Sequence, residues 1–103
     1  MRYEVVLAPE AAETFKALPA HHRAEVRDAL ERHLRNEPTR VSKSRIKRLR
    51  GLRQPQYRLR VGEVRVFYDV TRKAVEVLAI VTKAEAARWV AAHGTPGARG
   101  SAG

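Results

Sequence analysis

Three arginines stand on the alternating stretch YRLRVGEVRVFYDV, residues 57 to 70, at a spacing that suits the binding of an anion. Gly62-Glu63 separates two β-branched runs, and Gly at the first central position suits a two-residue type II′ turn. Such a turn sets Tyr57 opposite Tyr68, Arg58 opposite Phe67, Leu59 opposite Val66, Arg60 opposite Arg65 and Val61 opposite Val64. Alternation then puts Arg58, Arg60, Arg65 and Phe67 on one face and the aliphatic residues, with Tyr57 and Tyr68, on the other. Like charges directly across a ladder repel. At ~5.5 Å the cost is about 1 kcal/mol in water and about 3 kcal/mol at an effective dielectric of 20. An anion between the guanidinia reverses that sign, and guanidinium is a bidentate partner for phosphate. The chemistry on offer is charge stabilisation; the alternative is a solvated face whose arginines splay apart. Either way, removing Arg60 or Arg65 should leave stability unchanged or higher.

The rest of the chain weights that choice. Its 103 residues make one domain, with 21 Lys+Arg against 11 Asp+Glu and a net charge of +10. Such a balance points to nucleic acid first and to an acidic protein second. The excess is local: Pro38 to Gly62 holds no acidic residue. Within it Arg45, Lys47, Arg48, Arg50 and Arg53 precede the hairpin as expected nucleic-acid contacts. There is no cysteine, and no apolar run approaches a signal peptide or a membrane span, so a cytoplasmic protein is expected. No metal-ligand or nucleotide-loop pattern occurs, so no metal and no cofactor is expected. His33 lies on an apolar helical stripe and reads as a core histidine; His93 follows Trp89 by one turn.

The elements that must hold the arginines follow from periodicity. RYEVVLA reads as a strand, and Pro9 opens a short helix with Ala11, Phe15 and Leu18 on one face. HHRAEVRDALERHLRNEP is a second, longer helix with Val26, Leu30 and Leu34 on its stripe and Asp28/Arg32 and Glu31/Arg35 pairs outside it. Residues 39 to 55 form a basic connector with little periodicity, anchored by Ile46, Leu49 and Leu52. After the hairpin, AVEVLAIV is apolar on both faces, as a central strand is. Thr82 to Glu85 is a capping box opening a last helix. The expected fold is α+β, in the order β-αα-βββ-α. It has a small antiparallel-rich sheet, a helical hairpin on one face and a C-terminal helix. Residues 1–93 form the domain and 94–103 a disordered tail.

This order, with KRLRGL, then YRLRVGEVRVFYDV, then VEVLAIVTKAE, resembles the RelE/ParE family of bacterial toxin–antitoxin toxins over residues 2 to about 93. The resemblance implies a cognate antitoxin as partner. In the RelE branch it implies ribosome-dependent cleavage of mRNA, by attack of a ribose 2′-OH on the adjacent phosphate. The family's two basic residues on the first hairpin strand correspond to Arg58 and Arg60, its arginine on the second strand to Arg65, and the strand-end lysine to Lys83. Lys83 is followed by Ala84 where RelE-type enzymes often carry Arg, and Trp89-Val90 falls where they carry Tyr. The general base is left open among Lys83, Tyr68 and a ribosomal group. A ParE-like inhibitor of DNA gyrase and a non-toxic RNA-binding relative are the other two readings.

Overall fold

The computed structural model describes residues 2–97. Strand β1 (Glu4–Leu7) leads into α1 (Pro9–Ala17) and α2 (Ala20–Ala29), which runs on into a π-turn at Leu30–Leu34. Strands β2 (Ile46–Arg48), β3 (Leu52–Gln54), β4 (Tyr57–Val61), β5 (Val64–Val70) and β6 (Ala74–Thr82) follow. Helix α3 (Lys83–His93) and a short β7 (Thr95–Pro96) complete the described chain. The main sheet has the order β1-β6-β5-β4-β2, with β1 parallel to β6 and the other pairs antiparallel.

The hairpin has the register its turn dictates, from Tyr57 opposite Tyr68 to Val61 opposite Val64. Gly62 sits at φ +57° while Glu63 stays out of the left-handed region, as a type II′ turn requires. One face of the sheet packs on α1 and α2: Leu59, Val66, Tyr68, Val75 and Val77 are fully buried against Ala11, Val26 and Leu34. A register shift between Phe67 and Tyr68 opposite β6 makes a bulge. Past it, Ile80 stays in the core while Ala79 and Val81 pair with Phe67 and Arg65 on the far face. That shift is why β6 is apolar on both sides.

Helix α3 lies on the far face, and its attachment is light. None of its residues is fully buried. Trp89 stacks on Phe67 with ring centroids 5.0 Å apart and 10° between planes. The predicted capping box forms, with the Glu85 amide donating to the Thr82 hydroxyl and the Thr82 amide to the Glu85 carboxylate. The Lys83 amide donates to Glu63 O at the hairpin tip, 2.7 Å away.

Two expectations change. The connector is not a loop throughout: β2 extends the main sheet beside β4, and β3 pairs with β7 in a small second sheet. A lone apolar residue, Ile46, gives too short an alternation to announce a three-residue strand from sequence. The tail expected to be disordered from Gly94 starts with order instead. Thr95–Pro96 pairs with β3, and the Gly97 amide donates to Gly51 O at 2.9 Å. Residues 98–103 of that tail lie outside the described ones.

Candidate functional site

Strand pairing aligns the basic residues of the far face in two rows. Arg60 faces Arg65 on β5, and on its other side its amide donates to Arg45 O at 2.8 Å. Arg58 faces Phe67 on β5 and Lys47 on β2. Adjacent strands lie ~4.8 Å apart, so the face carries Arg45, Arg60 and Arg65 in one row and Lys47 and Arg58 in the next. The three arginine–carboxylate ion pairs among the described residues join Arg32 to Asp28, Arg35 to Glu31 and Arg40 to Glu37, all away from these rows, as is the 3.7 Å approach of His22 to Glu25. Among the described residues no carboxylate pairs with the concentrated charge.

The three hairpin arginines are not equivalent. Arg65 is 5% exposed, and its guanidinium donates to Gly62 O at 2.7 Å and Val64 O at 3.1 Å. Burial, then the neighbouring Arg60 and Arg58, hold its pKa below the ordinary arginine value. A cation kept in such a place without a counter-ion is an arrangement that an anionic ligand would relieve. Arg58 is half-buried, and its Nε has no hydrogen-bond partner among the described residues. Arg60 is exposed.

The burial of Arg65 corrects the expectation that either Arg60 or Arg65 can be removed at no cost. Arg65→Ala loses two hydrogen bonds to the hairpin, each worth about 0.5–1.5 kcal/mol net. Arg60→Ala loses only repulsion. Thermal melts should show a lowered Tm for Arg65→Ala and an unchanged or raised Tm for Arg60→Ala. Equal losses for both would contradict this assignment of the two side chains.

Arg58, Arg65 and Lys83 converge on a cleft of about 460 Å³ between the sheet and α3, floored by Phe67 and walled by Leu49, Ala86, Ala87 and Val90. Lys83 reaches it because the capping box starts α3 there. A smaller groove of about 290 Å³ lies next to it and shares Arg58; it carries Lys43, Arg45, Lys47 and Arg60. The arginine cradle is therefore two adjoining depressions, with Arg58 at the divide. Leu49, expected as an anchor of the connector, and Val90, beside the position where relatives carry Tyr, both line this cleft, a role that single apolar residues in a connector and a helix do not announce in sequence.

Tyr68 is removed from the candidates for general base. It is fully buried on the core face, where its hydroxyl donates to Pro38 O at 2.6 Å. Burial, with Tyr57 adding to it, pushes its pKa far above the ordinary tyrosine value. Of the basic connector, Arg45 and Lys47 join the cradle groove. Arg48 does not: it lies over the Tyr57 ring at 5.2 Å and donates to Gln56 O at 2.8 Å. Arg50 and Arg53 are exposed beside the β3–β7 sheet and line neither depression.

A family model described as the ParE toxin of the type II toxin–antitoxin system parDE matches residues 5–87. No curated protein matches the chain. Among solved structures, the RelBE2 toxin–antitoxin complex of Mycobacterium tuberculosis is 25% identical with a TM-score of 0.63, over 80% of this chain and 99% of that one. The archaeal RelE–RelB complex of Pyrococcus horikoshii is 29% identical with a TM-score of 0.60, over 81% and 97%. The RelB–RelE complex of Methanococcus jannaschii, 20% identical with a TM-score of 0.63 over 82% and 96%, shares the fold. Among the described residues no helix is long and apolar enough to cross a membrane. With the sheet order, the arginine rows and a family match along most of its length, the chain belongs to the RelE/ParE family of toxins from type II toxin–antitoxin systems.

Proposed function

We propose that this toxin is an endoribonuclease that cuts mRNA on the ribosome and so stops translation. The observation that carries the reading is the convergence of Arg58, Arg65 and Lys83 on one cleft with no carboxylate among its lining. In the reaction, a ribose 2′-oxygen bonds to the adjacent phosphorus as the bond from phosphorus to the 5′-oxygen breaks. The products are a 2′,3′-cyclic phosphate and a 5′-OH. Negative charge builds on the phosphorane oxygens, where fixed guanidinia stabilise the transition state more than the ground state. With Tyr68 buried, Lys83 or a group of the ribosome is left to take the 2′-OH proton, and the departing 5′-oxygen takes a proton from solvent. Purified toxin added to programmed ribosomes should leave fragments ending in 2′,3′-cyclic phosphate. Fragments ending in 3′-OH would rule out this chemistry.

Electrostatics gives a separate expectation. If Arg45, Lys47, Arg58, Arg60, Arg65 and Lys83 each neutralise a phosphate, the slope of log affinity against log salt for single-stranded RNA is about −4. A flat response between low and physiological salt would leave the basic rows without a nucleic-acid role.

The family also supports a cognate antitoxin as partner. A small protein encoded beside this one should bind through an acidic, partly apolar segment that shields the rows or shifts α3. Trp89 is the single tryptophan and joins α3 to the sheet. Its fluorescence should therefore change on binding. Absence of any neutralising neighbour would favour the non-toxic RNA-binding relative. The match to a ParE description favours a second reading, inhibition of DNA gyrase without cleavage of RNA. A supercoiling assay with purified gyrase separates the two.

A further inference from the structure

We propose that the chain carries a second RNA subsite at the Leu30–Leu34 π-turn, where His33, Arg45 and Arg40 hold one nucleotide of a strand leaving the cradle around the β2 edge. The inference rests on the RNA reading above and extends it to a surface on the other side of the Ser42–Ile46 turn.

The π-turn is the first observation. The Arg35 amide donates to Leu30 O at 3.2 Å, one residue further back than in an α-helix. Leu30 and Leu34 stay buried in the core, and the extra residue leaves His33 half-buried on the wall of a cleft of about 260 Å³. The turn closes the C-terminal end of α2, a place where π-turns are ordinary, so it is the position it gives His33 that bears on the site. A histidine expected in the core thus lies beside Arg40, Ser42 and Arg45, with Glu37 as the one carboxylate of the lining.

Continuity is the second. This cleft shares Ser42, Arg45 and Ile46 with the smaller groove of the cradle, and that groove shares Arg58 with the Arg65 cleft. The turn between them is held: the Ser42 hydroxyl accepts from the Arg45 amide at 3.0 Å and the Ile46 amide at 3.3 Å. The Ser42 amide donates to Ile46 O at 2.9 Å. The backbone that carries Arg45 is therefore held at the corner of a path that runs from Arg65 over the sheet edge to His33.

The side chains suit a nucleotide better than a bare anion. Burial, then Arg45 and Arg32, hold the His33 pKa below its ordinary value, so the ring is presented neutral. A neutral imidazole offers a stacking face and a hydrogen bond to a base, while Arg45 takes a phosphate. Arg40 pairs with Glu37 at 3.2 Å, but both side chains are largely exposed, so the pair is readily exchanged for a phosphate contact. An acidic peptide would engage the two arginines and leave the ring unused.

Binding of a trinucleotide and a nonanucleotide of RNA, both 2′-O-methylated to block cleavage, tests the path by fluorescence anisotropy. His33→Ala should weaken the nonanucleotide about tenfold, the size of one base–aromatic stack, and leave the trinucleotide unchanged. His33→Phe, which keeps a stacking ring, should retain most of the affinity. Arg40→Ala should make the nonanucleotide salt slope shallower by about 0.7. This exposed variant carries the length test if His33→Ala does not fold. Unchanged nonanucleotide binding in the far-end variants, while Arg58→Ala weakens both lengths, would overturn the subsite and leave the cradle standing. If Arg58→Ala alters neither length, the RNA reading itself fails. A DNA nonanucleotide bound as tightly, with the same His33 dependence, would overturn RNA as the occupant.

Discussion

Arg58→Ala is expected to lower RNA cleavage about a hundred- to thousandfold, the loss seen when one preorganised donor to a transition-state oxyanion is removed. Stability should move the other way or not at all. Arg58 faces Lys47 across the ladder and carries a buried Nε with no partner among the described residues. Truncation therefore relieves a repulsion and removes an orphaned donor; losing its packing against the cleft offsets part of that gain. Cleavage assays and thermal melts on the same preparation read both quantities. A solvated arginine face predicts wild-type cleavage. A Tm that falls in step with activity would make Arg58 a structural residue instead.

Phe67→Ala is expected to have the largest effect on the fold, about 3–5 kcal/mol, as for other buried aromatic deletions. Phe67 is 1% exposed, floors the Arg58–Lys83 cleft and carries the stacked Trp89 ring. Since α3 has no fully buried residue of its own, that stack is its main apolar hold on the sheet. Denaturant titration should show the loss. Trp89 emission should shift to the red even below the transition, because α3 loosens before the core opens. A domain of this size holds roughly 5–15 kcal/mol in all, so the variant remains measurable at low temperature. A loss under about 1 kcal/mol would mean that the capping box and the β3–β7 pairing hold α3 without the stack.

The parts of this molecule with strong local rules are legible in the sequence alone. Gly62 forces the turn, the turn forces the register, and the register puts Arg60 opposite Arg65. The capping box at Thr82 and the apolar stripes of Ala11 and Val26 are equally local. What stayed hidden depends on distant contacts. Strand β2 is defined by pairing with β4, and only that pairing puts Arg45 and Lys47 in the arginine rows while turning Arg48 away. The depth of Arg65 comes from the turn carbonyls that hold it and from α3 closing over its cleft, neither of which an alternating pattern encodes. Tyr68 could have been excluded as a base from sequence, since alternation already set it on the core face. His33 is half-buried at a π-turn rather than in the core, and no residue of the sequence marks where the helix widens into that turn.

The most direct test of the central claim maps the 5′ ends of cellular mRNAs after brief induction of the wild-type chain and of Arg58→Ala. The arginine cradle predicts new 5′-OH ends at discrete positions inside translated reading frames with the wild type, and their loss with the variant. Growth arrest with intact mRNA and relaxed DNA would contradict the nuclease and move gyrase inhibition into its place.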